Sequence, residues 1–578
     1  MTPLEDFCSS LMQVRAKSIS LPEVVKKQAI SHLDSKRFSL NHFWLKCISA
    51  MKHFNDLLLV CMASVTTLAA CLSFKVPIPT KIDYSNKVID KPKEMKRIVL
   101  VGGGHAHVQV IKALNKASRP DNIHVTLIDM QDSASYSGMV PGCVAGLYKP
   151  EQTQIQLRPL AKWAGIEFVS GQKVIDIDPT NRKVYIEPCR NKQETQDIES
   201  VQTIDFDVVS LDIGSTSRGI PADEGESWKQ HVISTRPVWE LVQKIEEAEK
   251  SFDPCNSASN QINVKVVGAG AAGIELALAI RARWDKYCPN FRITILDGGN
   301  KLFPNENESC RQALEQILSD KKINVSHNTS VQNVRQNELD VITNDHNNGK
   351  LSTTFSFSHC LWAAGAAPHT LASKALKIRG ISVSDHGWIR VSPTMQTLSH
   401  DSIFAAGDCV TIEGLKDHRA SPPKAGVYAV RAGPILIQNL ISYLEDKELT
   451  NYEPQDDFLK LIMCGDGTAL GFRFGLALRG PWVWKMKDDI DQHFMDLFKE
   501  ENLPSLEPGV PYDTKQYDDE NENERNLVDP QEASSIIQRT GDGVDFRLAS
   551  QILRNMRDND AYKKEVLSRV RKPQSITQ

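Results

Sequence analysis

No two of the twelve cysteines in this 578-residue chain are spaced CxxC. That spacing suits neither a disulfide scaffold nor a zinc site, so no metal is expected, and it points to a reducing compartment. No period of 20–50 residues recurs, which excludes a solenoid or a propeller. Neither charge is in excess: 68 Lys and Arg stand against 72 Asp and Glu, a net −4, which argues against a nucleic-acid partner. Long apolar runs are scarce too. The one of note is Leu57–Phe74, 18 residues without a charge, just long enough to cross a bilayer. Ser64, Thr66 and Thr67 weaken it, and lysines on both sides leave its orientation open. A membrane anchor, a buried helix and a removed targeting segment all stand as readings of it. Residues 1–50 carry Glu5, Asp6, Glu23 and Asp34 and little Arg, and so make a poor transit peptide.

What is present begins at Lys96. Ile98–Val101 is an apolar run fit for a buried strand, and Gly102, Gly103 and Gly104 follow it at once. Val108, Ile111 and Leu114 then keep helical spacing. Strand, glycine turn and helix start form the first unit of a dinucleotide fold, in which glycines let a pyrophosphate approach the backbone. The third glycine of GxGxxG is replaced by His107. His124–Ile128 reads as the next strand, and Asp129 ends it, 22 residues after His107. An acid there accepts hydrogen bonds from an adenosine ribose; the alternative is an ordinary strand-end Asp, and the ribose is favoured.

A second such motif is complete. Val264–Val267 is the strand, and Gly268, Gly270 and Gly273 fill all three glycine positions. Arg292–Leu296 follows, ended by Asp297, 24 residues after Gly273. That acid repels a 2′-phosphate and favours NADH, while nearby Lys301 keeps NADPH in play. Between the motifs, Tyr136–Gly146 (YSGMVPGCVAG) reads as a tight loop carrying Cys143. Val208–Gly214, His359–Gly365 and Ser402–Asp408 read as strands running into glycine turns. Pro422 and Pro423 precede an apolar helix, Ala425–Leu440, whose start belongs near Asp408. Val483, Met486, Ile490, Phe494 and Leu497 form one helical face. The opposite face carries Asp488, Asp489, Asp491 and Asp496 against Lys485 and Lys487, so packing on the protein is preferred to lying on a membrane.

Together these motifs resemble the two-dinucleotide flavoproteins of the pyridine nucleotide–disulfide oxidoreductase superfamily. GGGHAHV, YSGMVPG and PPKAGVYAVRAGP resemble most its type II NADH dehydrogenase-like branch, which includes the module fused to selenide, water dikinase. The resemblance implies an α/β fold with two Rossmann-like three-layer domains, one for FAD and one for NAD. Residues 1–94 would be an extension, 95–255 and 378–445 the FAD domain, and 256–377 the NAD(P)H domain. An α+β segment would follow at 446–503, then an acidic linker at 504–530 and a helical appendage at 531–578.

By the same resemblance Gly102, Gly103, Gly104, His105, His107, Asp129, Gly214, Gly407, Asp408, Lys424 and Ala425 bind FAD. Gly268, Gly270, Gly273, Asp297 and Gly365 bind NADH, and Glu275 lies near the nicotinamide. Glu275 is also readable as a first-turn helix acid. Hydride would pass from NADH to the flavin. With only Cys143 in its loop, the chain lacks the dithiol of a disulfide reductase, so electrons would leave the flavin directly, to a quinone or another small acceptor. Two rivals are a peroxide or disulfide reductase working through Cys143, and a slow-turnover FAD/NAD redox sensor. A homodimer and an organellar membrane (mitochondrion or plastid) complete the expectations.

Overall fold

Ile98–Val101 leaves no polar side chain to face water, and it is the buried centre of strand β1, Lys96–Val101. The computed structural model describes residues 94–189, 201–221, 227–250, 252, 262–287, 291–345, 349–506, 527–541 and 543–570. All lie in the second of the chain's two units, 92–578. Leu57–Phe74, with the rest of residues 1–93, lies outside them, as does most of the acidic linker.

After β1 come helix α1 (His107–Ala113), β2 (Ile123–Asp129), the short helix α2 (Val140–Ala145), α3 (Leu157–Ala164), β3 (Glu167–Ser170) and β4 (Val208–Leu211). β2 and β4 flank β1 and β3 lies beyond β2, every pair parallel. Strands buried on both faces read as largely apolar runs rather than as alternation, which is why β1, β2 and β4 were visible in the sequence. The second sheet is built from β5 (Val232–Ser234), α4 (Val238–Glu249), β6 (Asn263–Val267), α5 (Ala271–Trp284), β7 (Arg292–Leu296), α6 (Glu308–Asp320), β8 (Ile323–Ser326) and β9 (His359–Trp362). Its order is β5-β9-β6-β7-β8, again all parallel. The chain then returns to the first sheet with β10 (Ile403–Ala405), giving β10-β4-β1-β2-β3, followed by α7 (Gly426–Leu444). The two sheets therefore share one four-strand core order, β4-β1-β2-β3 and β9-β6-β7-β8, with β1 and β6 in the same place; they differ at the edge, where β10 is the last strand of its sheet in the chain and β5 the first. Thr216–Ser217 pairs with Ala366–Ala367 where the chain crosses between them.

A small antiparallel sheet, β11 (Lys460–Met463), β12 (Ala469–Arg473) and β13 (Leu476–Gly480), leads into α8 (Pro481–Asp496). The terminal helices α9 (Pro530–Gln538), α10 (Phe546–Asp558) and α11 (Asp560–Val570) share a core with it: Leu478, Trp482, Val483 and Met486 against Ile536, Ile552 and Met556. Trp482 donates its Nε1–H to the Arg539 carbonyl at 2.9 Å, so this tryptophan packs on protein as expected.

Two expectations need correction. Tyr136–Gly146 is not a loop throughout: α2 forms within it, with Pro141 in its first turn and left-handed Gly146 (φ 80°) ending it. Its Val140 and Val144 are buried in the core of the second sheet, and that burial turns a Pro-Gly stretch into a helix. On α8, Ile490 is 46% exposed. Lys487 and Asp491, assigned to the solvated face, are buried instead, because they pair at 2.6 Å and Lys487 also donates to the Gly138 carbonyl at 2.8 Å.

Candidate functional site

Each sheet ends its central strand in a left-handed glycine. Gly102 has φ 88° and Gly268 φ 108°. A Cβ on Gly102 would stand 2.5 Å from the Asp212 carbonyl oxygen, and one on Gly268 would stand 2.3 Å from that of Ala363. Backbone crosses backbone at both turns, so only glycine fits. The third glycine position separates the two. A Cβ on Gly273 would lie 2.0 Å from the Gly268 carbonyl oxygen. At the equivalent place in the first loop, the His107 ring lies within 2.6 Å of the Gly102 carbonyl through Nδ1 and within 2.8 Å of Ser210 Oγ through Nε2. A carbonyl only accepts, so Nδ1 carries the proton and Nε2 accepts from Ser210. Burial lowers His107 to about 4 and keeps the ring neutral. The missing glycine is thus replaced by a hydrogen-bonded bracket between the turn and β4.

The strand-end acids are similarly placed. Asp129 accepts the Gly103 N–H at 2.6 Å and the Gln131 N–H at 2.8 Å. Asp297 accepts the Gly299 N–H at 2.9 Å, and His327 Nδ1 lies 2.8 Å from its other oxygen. Asp129 is thus fixed against the first glycine turn, and Asp297 is fixed at the end of β7, the strand beside β6, by groups that follow it in the chain.

Gly214 and Gly365 both take left-handed φ, 64° and 105°, just after β4 and β9. Ser215, next to Gly214, donates to Asp408 at 3.1 Å, and Arg236 pairs with the same carboxylate at 3.2 Å. Gly407, Asp408, Lys424 and Ala425 line one cavity at the start of α7, so the expected proximity of Asp408 and that helix is observed. Lys424 donates to the Val410 carbonyl and lies over the Trp388 ring, and burial lowers its pKa. His105 lies at a tilt against Tyr136 and stacks with Phe494. Its Nε2 is buried and has no hydrogen-bond partner among the described residues.

Glu275 stands on α5 and accepts the Met463 N–H at 3.0 Å. Burial raises its carboxyl to about 7 against the opposing Lys487 charge. Cys143 is buried on α2, and burial pushes its thiol up to about 11 even with Arg283 nearby, so it carries no thiolate at neutral pH. The six cysteines among the described residues are all unpaired.

Sequence reasoning missed Asp212, Ser210, Arg236, His327 and the Lys487–Asp491 pair. Only Asp212 carried a signal: like Asp129 and Asp297, it is an acid at the end of a buried strand.

The model of one family, pyridine nucleotide-disulphide oxidoreductase, matches residues 96–433. The chain belongs to the pyridine nucleotide-disulphide oxidoreductase family. Among its relatives is the type II NADH:quinone oxidoreductase of Haemophilus influenzae, 26% identical over 404 residues, covering 65% of this chain and 87% of that one. The enzyme of that name from Staphylococcus aureus is 23% identical over 411 residues, covering 69% and 95%. In fold the chain is similar to NDH2 from Plasmodium falciparum in complex with NADH (TM-score 0.56, 15% identity, 71% of this chain and 99% of that one). It is also similar to the sulfide:quinone oxidoreductase from Aquifex aeolicus (TM-score 0.57, 15% identity, 71% and 93%).

Proposed function

We propose that this family member oxidises NADH through FAD and passes the electrons to a quinone, the overall change being NADH + H⁺ + quinone → NAD⁺ + quinol. One observation carries the reading: two sheets with the same four-strand core order, each with a left-handed glycine turn and a fixed acid, for two dinucleotides. Relatives named NADH:quinone oxidoreductases, covered over 87–95% of their length, supply the acceptor. FAD, when bound, supplies the redox chemistry, taking two electrons and a proton from NADH and giving them up to the acceptor. The residues present fit it: an acid beside the first glycine turn, Asp408 at the start of α7, and an unpartnered His105 Nε2.

The chain's own part is to bind, orient and exclude water. Gly102–Gly104 and Asp129 would hold the adenosine end of FAD, and Gly268–Gly273 and Asp297 that of NADH. The N–H groups at the start of α7 would face developing negative charge on the flavin. Glu275, raised to about 7 where α5 meets β11 and α8, can hold or release a proton there. The test is an acceptor panel: the purified full chain should reduce a soluble quinone with NADH faster than it reduces peroxide or a small disulfide. Cys143→Ser should keep quinone turnover within about twofold, since a thiol held protonated takes no part. Loss of turnover in a folded Cys143→Ser protein would promote the thiol reading instead.

No helix among the described residues is long and apolar enough to cross a membrane. The membrane attachment proposed is through Leu57–Phe74, and the functional body proposed is residues 95–503, with the boundaries given above. Deleting residues 1–94 should yield a soluble protein that holds FAD and oxidises NADH, while the full chain sediments with membranes and resists a carbonate wash. A full chain that stays in the supernatant would contradict the anchor.

A further inference from the structure

The two glycine loops differ at their second glycine as well as at their third. In a dinucleotide loop the second glycine is bare so that the pyrophosphate can come up to the backbone, in the space a Cβ would take. At Gly270, in the second loop, a Cβ would meet nothing within 4 Å. At Gly104, in the first, it would lie 2.3 Å from Asp212 Cγ and 2.4 Å from both carboxylate oxygens. Gly407 closes the other side, where a Cβ would lie 2.5 Å from Asp212 Oδ1. The Asp212 carboxylate thus fills a slot between two glycines and accepts the N–H groups of Ala106, at 2.8 Å, and His107, at 3.1 Å. The residue in its place after β9 is Ala363, which has no carboxylate to offer.

We propose that Asp212 is a gate on the FAD loop: its carboxylate closes the place the pyrophosphate needs, and FAD enters only as Asp212 takes up a proton and turns away. The inference rests on the reading of the first loop as the FAD site. Two phosphates brought against this slot would add negative charge to a carboxylate already facing two others. The titratable groups facing Asp212 are Asp408 and Cys409 from the turn after β10, Asp129 from the end of β2, and His107 at the head of α1. Arg236 pairs with Asp408, and Lys424 faces Cys409 and Asp408, so neither provides Asp212 with a counter-ion of its own. With no cation against it, burial raises Asp212 to about 7. Cys409 is pushed up to about 12 and His107 down to about 4, so neither changes charge near neutral pH.

The sign of the pH effect follows. Below about pH 7 Asp212 is already protonated and FAD binding carries no proton cost. Above it, binding takes up one proton, and the apparent Kd weakens about tenfold per pH unit. The experiment strips FAD from the full-length protein and follows rebinding by flavin fluorescence between pH 6.5 and 9. Wild type should show that slope above pH 7. Asp212→Asn keeps the hydrogen-bond acceptor without the charge, and should bind FAD equally well across the range and about a hundredfold more tightly than wild type at pH 9. Asp212→Ser, which empties the slot, should also lose the slope and guards against a misfolded Asn variant. A wild type without the slope, or variants that retain it, would overturn the gate while leaving the FAD site standing. Failure of all three proteins to take up FAD at any pH would overturn both.

Discussion

Gly104→Val protein should come off its last column colourless and remain so in excess FAD. The new Cβ would stand 2.3 Å from Asp212 Cγ, and the valine methyl groups would fill the approach that a pyrophosphate needs. Overpacking a close-fitting site costs about 1–3 kcal/mol. Each charge-assisted hydrogen bond lost from the phosphates costs about 1.5–3 kcal/mol more. Together these put FAD affinity down by at least about a hundredfold. The second loop is untouched, so the variant should still bind NADH, as titration calorimetry can read. A Gly104→Val protein that keeps its flavin would mean that the first loop is not where FAD lies.

Asp297→Ser should reverse or nearly level the preference between the two nicotinamide nucleotides. Asp297 is buried, and its oxygens are fixed by the Gly299 N–H and by His327. A hydrogen bond from the ribose hydroxyl to a fixed carboxylate is worth about 1.5–3 kcal/mol, so kcat/KM for NADH should fall about 10- to 100-fold. For NADPH the same change removes a like charge, worth about 3 kcal/mol at roughly 5 Å and an effective dielectric constant near 20. The ratio of the two kcat/KM values should therefore move by more than about tenfold. Equal losses for both nucleotides would show that Asp297 only holds its turn together.

These two predictions fall on residues that were legible in the sequence, and for a physical reason. A glycine loop between a buried strand and a helix is a local event, so strand, glycines and strand-end acid appear within about thirty residues of chain. The parallel sheets were legible as well, since β1, β2, β6 and β7 are short runs rich in Ile, Val and Leu that each end at a glycine turn or an acid. What stayed hidden is long-range. Asp212 reaches helix α1 across 106 positions, and Arg236 reaches Asp408 across 172. Nothing near His107 in the chain says that its ring will bracket Gly102 to Ser210. Nor does helical periodicity reveal that Lys487 and Asp491 face the Tyr136–Gly146 segment rather than water. The helix α2 was missed because a Pro-Gly pair is a turn signal locally and becomes a first helical turn only when Val140 and Val144 find the second core.

The central claim is that two dinucleotide sites work in series, and anaerobic mixing tests it most directly. The FAD-loaded protein, given one equivalent of NADH without oxygen, should lose its visible flavin band as one equivalent of NAD⁺ appears. Adding a soluble quinone should then restore the band, with quinol formed in the same amount. A flavin band that NADH leaves unchanged, or one that NADH bleaches and quinone cannot restore, would contradict the account.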